Sequence, residues 1–334
     1  MLVFMLRAPT AIAFLIVFII IGFSTAKASD SSNSAMRVDV GGFWLNSVLL
    51  RAKNANLPPI VFIHGASTRL YDPLLSFRAK LEGRATLLFV DRPGHGNSDA
   101  GGPENLLPDG QADAIATLMD KRGIHKAIIV GHSFGGAIAA AMAVRHPDKV
   151  AGLVFLSPAV YPWKGGVAWY YAAARSPITG ALFSTFIVPP LGILLIDRAT
   201  KAVFAPNRRP ADYISKTRAL GALAPAAFRH NAREIAALSV WAVAASKAYH
   251  TIRAPTVIIT GDRDEIVSPE VHAVHLARDI RGAQLIVVHN LGHKSDYVAS
   301  DLAVAAIEKV AGRNVDLIAA SRAVEKRIAD DGAD

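Results

Sequence analysis

Short apolar runs alternate with longer amphipathic stretches along most of the chain. The runs are rich in Val, Ile and Leu and end in turn residues, a pattern typical of strands buried on both faces of a sheet. They occupy residues 58–65, 85–94, 126–133, 151–158, 254–262 and 283–293, with helical patterns at 108–122, 135–147, 269–280 and 299–312. Strand–helix alternation predicts an α/β fold with a mostly parallel central sheet. Residues 36–52 predict an antiparallel hairpin in front of it.

This rhythm is interrupted once, between residues 158 and 250. The pattern there is helical, and the one strand-like run, FIVPPLGILLI at 186–196, is broken by two prolines. A long insertion between two core strands predicts a cap or lid. We therefore expect a core formed by residues 37–157 and 251–334 and a helical cap at 158–250. The tail after residue 312 predicts a last amphipathic helix.

The N-terminus has a different character. Arg7 precedes an uncharged apolar run at 8–23, and the following polar stretch ends in Ala26-Lys27-Ala28. A basic start, an apolar centre and a small-x-small site are typical of a secretory signal. The same segment predicts a membrane anchor if it is not cleaved, since it reaches span length with its flanks. Residues 1–28 therefore predict an exported protein, periplasmic or secreted after cleavage and membrane-anchored otherwise, with a polar linker at 29–36.

Charge and cysteine content narrow the possible chemistry. The 334 residues carry a net charge of +9 and include no cysteine, so disulfides, thiolate chemistry and Cys-based zinc sites are excluded. Lys and Arg form no block long enough for a nucleic-acid-binding arm, and a basic, solvated surface is the simplest interpretation. Weak attraction to anionic lipid stays open because the N-terminus indicates a membrane.

One serine lies in a motif with chemical meaning. Gly131-His132-Ser133-Phe134-Gly135 fits G-x-S-x-G, between the apolar AIIV and an alanine-rich helical pattern. That strand–turn–helix context is what the nucleophile elbow requires. A neutral hydroxyl is a poor nucleophile, so Ser133 needs a base and the base needs an orienting acid. The segments GDRDEIVSP and HNLGHKSD follow later strands and offer carboxylates and histidines in that order.

Several segments together resemble the α/β-hydrolase superfamily, in its serine-nucleophile, esterase- and lipase-like branch with a helical cap. The likeness rests on HGAS after residue 63, DRPGHGNSD after 90, GHSFGG, GDRDEIVSP and LGH, and covers about residues 38–312. The resemblance implies that Ser133 is the nucleophile, His293 the general base and Asp264 the acid. Asp262 is the rival acid, although a loop-capping role suits it better.

The resemblance also implies an oxyanion hole made of two backbone N–H groups, from Ala66 and Phe134. His64, just before the oxyanion glycine, is expected to orient that loop by hydrogen bonding. Asp91 is expected to pair with Arg92 or with a backbone N–H group.

No cofactor is expected. The glycine-rich GHGNSDAGG lacks the lysine of a phosphate loop, and no dinucleotide fingerprint follows the first parallel strand. His272 and His275 lie three residues apart but have no third metal ligand. We therefore predict no metal.

The predicted function is hydrolysis of a carboxylic ester of an apolar or medium-sized acid. Alternatives with the same triad are a C–C bond hydrolase of vinylogous ketoacids and a cofactor-free perhydrolase or haloperoxidase. A non-catalytic ligand-binding protein on this fold is the alternative outside enzymes. Epoxide hydrolases and haloalkane dehalogenases need a carboxylate where Ser133 stands. The expected partner is a small apolar ester, and the oligomeric state stays open.

Overall fold

The central feature of the fold is one sheet of eight strands. A computed structural model describes residues 35–164, 166, 168–176 and 179–331. The strands are β1 Ala35–Asp39, β2 Trp44–Leu50, β3 Ile60–Ile63, β4 Leu87–Val90, β5 Ala127–His132, β6 Val150–Leu156, β7 Thr256–Gly261 and β8 Gln284–Val288. Their order across the sheet is β1-β2-β4-β3-β5-β6-β7-β8.

The sheet is mostly parallel. β1 pairs with β2 and β2 with β4 in antiparallel fashion, and all further pairs are parallel. The predicted α/β sheet with an antiparallel hairpin at its edge is therefore confirmed. Parallel strands end at the same edge, so the loops after β3, β4, β5, β7 and β8 come together there.

Helices cover both faces of the sheet. Outside the cap they are α1 Tyr71–Leu81, α2 Pro108–Lys121, α3 Phe134–Arg145, α9 His275–Asp279, α10 Ser295–Val298, α11 Ser300–Val310 and α12 Leu317–Asp331. A π-helical turn, Glu270–Val274, leads into α9, and short 3₁₀ turns occupy Pro103–Leu106 and Pro147–Lys149. The predicted helix in the tail is present as α12.

Two apolar cores result, one on each face of the sheet. Along β3, Ile60 and Phe62 pack into the core with α1 and α11, whereas Val61 and Ile63 pack into the core with α2 and α3. Successive side chains of a strand point to opposite faces, so a strand buried on both faces must be apolar throughout. The continuous apolar runs in the sequence have this cause.

In the described part of the cap segment, residues 158–250, every regular element is helical. It contains α4 Trp169–Ala174, α5 Thr179–Leu182, α6 Val188–Phe204, α7 Tyr213–Thr217 and α8 Pro225–Ala245, with a π-helical stretch Phe183–Ile187 and 3₁₀ turns Ala219–Leu223 and Ser246–Thr251. The proline-interrupted run at 186–196 is thus helix rather than strand. Its prolines stand in the first turn of α6, a position where proline is tolerated.

One helical stretch among the described residues, Thr179–Phe204, is long and apolar enough to cross a membrane by length and composition. The predicted signal or anchor at residues 1–28 and most of the predicted linker lie outside the described residues.

Candidate active site

A serine occupies the sharp turn between β5 and α3. Ser133 has φ 53° and ψ −116°, a strained backbone conformation for a residue with a side chain. A Cβ atom on Gly131 would lie 2.3 Å from the carbonyl oxygen of Gly135, and one on Gly135 would lie 2.2 Å from that of Ile63. Glycine at both positions lets the turn form. Ser133 therefore stands at the carboxyl edge of the sheet, and α3 begins at the next residue, Phe134.

The loop after β3 passes close to this serine. A Cβ atom on Gly65 would lie 3.2 Å from the Cβ atom of Ser133. The backbone N–H groups of Ala66 and Phe134 have no hydrogen-bond partner among the described residues. Two free N–H groups beside a serine hydroxyl form an arrangement that can stabilise an oxyanion. The positive end of the α3 dipole favours negative charge at the same place.

The peptide group between Gly65 and Ala66 is held from its carbonyl side. His64 accepts a hydrogen bond at Nε2 from the N–H of Arg92, at 3.1 Å, so its Nδ1 carries the proton and donates to the Gly65 oxygen at 2.8 Å. The Arg92 guanidinium donates to the same oxygen at 3.1 Å, and the Thr68 hydroxyl at 3.2 Å. The N–H of Ala66 belongs to the same planar peptide unit, so these three donors fix its direction.

His293 lies in the loop after β8 and is hydrogen-bonded to Asp264, which lies in the loop after β7. His293 Nδ1 donates to Asp264 Oδ2 at 2.8 Å, and Oδ1 accepts from the N–H groups of Ile266 and Val267 at 3.0 and 2.9 Å. Burial opposes ionisation of Asp264, but the bonds from His293 and the two N–H groups prevail and lower its pKa. Asp264 is therefore a carboxylate that accepts from His293 Nδ1, and His293 Nε2 has no hydrogen-bond partner among the described residues.

Asp262, the rival acid, has other partners. It contacts His289 Nδ1 at 2.7 Å and accepts a hydrogen bond from the N–H of Asn290 at 2.7 Å. This carboxylate closes the loop after β8 at the exposed surface.

Ser133 and His293 occupy the same edge without a hydrogen bond to each other in the described part of the chain. Such a bond is often long in free enzymes and tightens when substrate binds. The exposed fractions are 9% for Ser133, 5% for His293 and 6% for Asp264. The three side chains are thus almost buried at the sheet edge.

The backbone of His293 is held by His132. His132 Nε2 lies 3.0 Å from the carbonyl oxygen of His293 and donates to it. Burial, followed by the nearby charge of Lys294, holds the pKa of His132 well below its usual value. His132 is therefore neutral, and one N–H is available for this bond.

A buried ion cluster lies directly behind His293. Lys294 Nζ is 2.7 Å from Asp72 Oδ2 and 3.0 Å from Asp296 Oδ2, and the hydroxyl of Tyr213 donates to Asp72 Oδ1 at 2.9 Å. Burial opposes the lysine charge, but the two carboxylates outweigh it and raise the pKa of Lys294. The cluster joins α1, the loop that carries His293 and helix α7 of the cap segment.

The cap segment also reaches the loop after β4 through a buried ion pair. Glu234 of α8 accepts from Arg92 at 2.8 and 3.0 Å, and His95 Nε2 donates to it at 2.8 Å. Burial opposes ionisation of Glu234, but Arg92 and His95 lower its pKa far below the usual value. Arg92 therefore pairs with Glu234, and Asp91 does not pair with it. Asp91 instead accepts from several groups: the N–H groups of Leu70 and Asn97 and the amide of Asn46.

Two further cap residues touch the loop after β3. Asn231 Oδ1 accepts from the N–H of Ser67 at 2.8 Å, and the hydroxyls of Ser67 and Tyr171 lie 2.9 Å apart. Ser67 has φ 56°, so this loop is tightly bent next to Ala66.

One group of side chains has metal-ligand geometry. The ligand atoms of His95, His230 and Glu234 lie within 4.8 Å of one another. The Arg92 guanidinium already binds both carboxylate oxygens and lies 3.1 Å from His95 Nε2, so a cation fills the place that a metal would need. These residues do not fit a metal ion.

The histidine pair considered in the sequence is also engaged. His272 Nδ1 accepts from the N–H groups of Val160 and Tyr161, and His275 Nδ1 contacts the carbonyl of Val271.

The fold and this site define a class of protein: hydrolases with an open, mostly parallel sheet and a serine at the strand–helix elbow. Residues 58–296 match the family described as alpha/beta hydrolase fold, and the chain belongs to that family.

Relatives of known type include lipases. Lipase 3 of Moraxella sp. is 26% identical over 286 residues, covering 81% of this chain and 84% of that protein. Lipase LipV of Mycobacterium tuberculosis is 46% identical over 70 residues, which span only 21% of this chain and 26% of LipV.

Solved structures show the same fold. The enol-lactonase from Burkholderia xenovorans LB400 has a TM-score of 0.65 at 21% identity, covering 83% of this chain and all of that one. The 2-hydroxy-6-oxo-6-phenylhexa-2,4-dienoate hydrolase from Rhodococcus sp. strain RHA1 has a TM-score of 0.66 at 17% identity, covering 84% of this chain and 99% of that one. The fold therefore serves both ester-type and C–C bond hydrolases.

Sequence reasoning missed the residues that support the site rather than form it. Glu234, Lys294 and Asp72 give no local signal, because each resembles an ordinary surface charge in its own segment. The position of Lys294 directly after His293 was the only available hint.

Proposed function

We propose that this protein is a serine hydrolase that cleaves carboxylic esters of apolar or medium-sized acids. The observation that carries the proposal is the position of Ser133 on a strained elbow, with the His293–Asp264 pair at the same sheet edge. The two free N–H groups beside Ser133 complete the set of parts that acyl transfer needs.

The first half of the reaction acylates the serine. The Oγ atom of Ser133 attacks the ester carbonyl while His293 Nε2 takes its proton. The carbonyl oxygen becomes an oxyanion, which the N–H groups of Ala66 and Phe134 stabilise. The tetrahedral intermediate then expels the alkoxide, which receives the proton from His293 and leaves as the alcohol.

The second half restores the enzyme. His293 accepts a proton from water, the hydroxide formed attacks the acyl carbonyl, and the same oxyanion site stabilises the intermediate. Ser133 leaves with the proton from His293, and the free acid departs. Asp264 keeps His293 in the tautomer with Nδ1–H throughout.

Aromatic side chains of the cap segment support an apolar acyl group. Tyr171 packs against Tyr170 and Phe228, with ring centroids 4.5 and 5.7 Å away, and its hydroxyl reaches Ser67 in the loop after β3. An aromatic cluster beside the oxyanion loop favours an apolar group over a charged one. The lipase relatives agree with this preference.

The test is covalent labelling and turnover. We expect the full chain to react with a fluorophosphonate probe and to hydrolyse p-nitrophenyl esters, and both signals to disappear in Ser133→Ala. Ser157→Ala is the matched control, since Ser157 is another buried serine with a positive φ, at the end of β6. Absence of labelling and turnover in the parent protein would refute the proposal.

A substrate panel separates ester hydrolysis from the alternatives. Turnover of a vinylogous dienone acid without ester turnover would assign C–C bond hydrolysis. Peracetate formation would assign the perhydrolase type. Tight binding of an apolar ligand that survives Ser133→Ala, with no turnover, would assign a binding protein.

We also propose that residues 1–28 bring the chain to a membrane, as a cleaved signal or as an anchor. Mass spectrometry of the native N-terminus distinguishes the two. A chain that is intact and found only in the soluble cytoplasmic fraction would refute both.

A further inference from the structure

An exposed apolar surface lies on the cap segment, in the helical stretch Thr179–Phe204 formed by α5, the π-helical turns and α6. Only 17% of its most apolar 18-residue window is buried. A core helix of such composition would be mostly buried, because burial is what makes an all-apolar helix stable in a soluble protein. This stretch therefore presents an apolar surface that nothing in the described chain covers.

The exposed side chains follow helical spacing. Leu182, Phe186 and Leu194 are separated by one or two helical repeats of four residues and are 58, 66 and 77% exposed. Further exposed members of this apolar face are Ile187, Leu191, Ile193 and Leu195. Trp169 is 69% exposed, and its ring centroid lies 6.1 Å from that of Phe183, near the start of the stretch. Aromatic side chains at the edge of an apolar surface are typical of the boundary between lipid and water.

The other side of the same stretch is packed against protein. Ser184, Val188 and Phe204 are buried, and a Cβ atom on Gly192 would lie 2.5 Å from the side chain of Leu223. A membrane-spanning helix would have to leave these contacts. The geometry therefore suits a helix that lies along a surface with one face exposed.

The charge of the molecule is concentrated on the same segment. Residues 158–250 hold 11 Lys and Arg residues against 3 Asp and Glu residues, a net charge of +8 out of +9 for the whole chain. Arg175 is exposed near one end of the stretch, and Arg198, Lys201 and Arg208 are exposed near the other. A basic border around an apolar face is complementary to anionic lipid headgroups.

We propose that the cap segment docks on a bilayer that contains anionic lipid, with the stretch Thr179–Phe204 lying in the plane of the headgroup–acyl boundary. The apolar face enters the lipid, and the basic side chains at its ends contact the headgroups. The proposal rests on exposure and charge and holds for any reaction at Ser133.

The docked helix is linked to the candidate active site by the segment that follows it. Asn207, three residues after α6, donates to the carbonyl of Asn290 at 2.8 Å, and its Oδ1 accepts from the N–H of Gly292 at 2.8 Å. The loop that carries His293 is thus hydrogen-bonded to the segment that follows the lipid-facing helix.

The experiment uses the absence of native cysteine. Leu194→Cys and Ile318→Cys, in the full-length chain, each carry one environment-sensitive fluorophore; Ile318 is 53% exposed on α12 and serves as the control. Each labelled protein is mixed with vesicles of phosphatidylcholine, with or without phosphatidylglycerol, and with a spin-labelled quencher lipid. Both variants retain residues 1–28, so the two labelled proteins differ only in the position of the probe.

We expect the probe at 194 to shift to shorter wavelength and to be quenched by the spin-labelled lipid, more strongly with phosphatidylglycerol. The probe at 318 should keep its emission in water. Adding Arg198→Gln and Lys201→Gln should reduce the effect of phosphatidylglycerol at position 194.

Two results would overturn the proposal. In the first, the probe at 194 stays as water-exposed as the probe at 318 with every vesicle. In the second, its emission shifts without lipid as protein concentration rises, which would assign the face to a second copy of the chain. Neither readout needs turnover, so failure of the proposed reaction would leave this test unaffected.

Discussion

At the scale of single residues, the candidate site depends on side chains that hold backbone groups in place. The carbonyl of Gly65 accepts from three donors, and that of His293 accepts from His132. Arg92, one of the Gly65 donors, is itself held by Glu234 of the cap segment. A cap residue thereby influences the direction of the Ala66 N–H group, although it touches neither Ser133 nor His293 in any recorded contact of the described chain.

Glu234→Gln tests this influence. The amide cannot hold Arg92 as firmly, so the Gly65–Ala66 peptide is less well fixed and the oxyanion is less well stabilised. Complete loss of one oxyanion donor costs about 10²–10³-fold in kcat, and we expect a smaller loss of about tenfold with little change in KM. Asp212→Asn, which changes an exposed carboxylate of the same segment, should leave kcat unchanged. Steady-state kinetics on a p-nitrophenyl ester gives both constants, and a change confined to KM would contradict the interpretation.

Lys294→Met tests the buried ion cluster. Methionine has a similar length, but it leaves Asp72 and Asp296 without their cation in the protein interior. Breaking a buried ion pair from one side costs about 3–5 kcal/mol, so the free energy of unfolding should fall by that amount in a urea titration. Lys326→Met removes an exposed lysine that is paired with Asp330 on α12, and it should leave the free energy of unfolding nearly unchanged because water screens such a pair. Equal decreases in the free energy of unfolding of the two variants would show that the buried cluster stabilises the fold no more than an exposed ion pair does.

At the scale of elements, the elbow between β5 and α3 requires close approach of backbones. Ten of the twelve residues of α3 are buried, and most of them are Ala or Gly. Small side chains let the helix lie near the sheet, and Gly135 is the point at which helix and β3 nearly touch. Local sequence was enough to predict this element, because its glycines and its strand–turn–helix pattern occupy one short segment, although the close contact with β3 is not local.

Gly135→Ala should therefore destabilise the elbow. The added Cβ would lie 2.2 Å from the carbonyl oxygen of Ile63, so helix or strand must shift. Overpacking of this kind costs about 1–3 kcal/mol, and displacement of Ser133 should reduce ester turnover as well. Gly166→Ala is the control, because a Cβ atom there has no atom of the described residues within 4 Å. Thermal unfolding measures the stability of the two variants, and steady-state kinetics measures their ester turnover. If Gly135→Ala changed neither quantity, the elbow would have to accommodate the added Cβ atom.

At the scale of the whole molecule, several neutral histidines are buried between elements. Burial is the largest cause that lowers the pKa values of His64, His95, His132, His230 and His272, and those of His230 and His272 fall to about 4. In the unfolded chain histidine titrates near 6.5. Between these values the unfolded state binds more protons than the folded state, so lowering the pH favours unfolding.

We accordingly expect the free energy of unfolding to be fully retained above about pH 6.5 and to fall as the pH decreases towards 4. His272→Asn keeps an acceptor for the N–H groups of Val160 and Tyr161 but does not titrate. His272 accounts for at most about 3 kcal/mol of the decrease in the free energy of unfolding between pH 6.5 and 4. The decrease should be smaller by that amount in the variant. Urea titrations between pH 4 and 7.5 measure both proteins, and parallel curves would show that His272 takes no part.

Much of the fold and part of the site could be predicted because they depend on local patterns. The apolar runs predicted the strands, and the glycines around Ser133 predicted the elbow. The order of Ser133, Asp264 and His293 along the chain, each after a strand, placed all three at one edge, since parallel strands end together. The run at 186–196 was the one strand-like exception in the predicted helical cap, because a short apolar run fits strand and helix equally well.

The sequence by itself therefore determined the sheet, the elbow and the residues proposed for catalysis. Apolar runs indicate buried strands, glycines around Ser133 indicate the tight turn, and the order of the motifs along the chain can be read directly from the sequence. Only the tertiary structure decided which charges meet. Arg92 pairs with Glu234 rather than with the adjacent Asp91, and Lys294 pairs with Asp72 across 222 residues. It also decided that one face of Thr179–Phe204 stays exposed. Such pairings and exposures depend on where distant segments pack, and no local pattern contains that information.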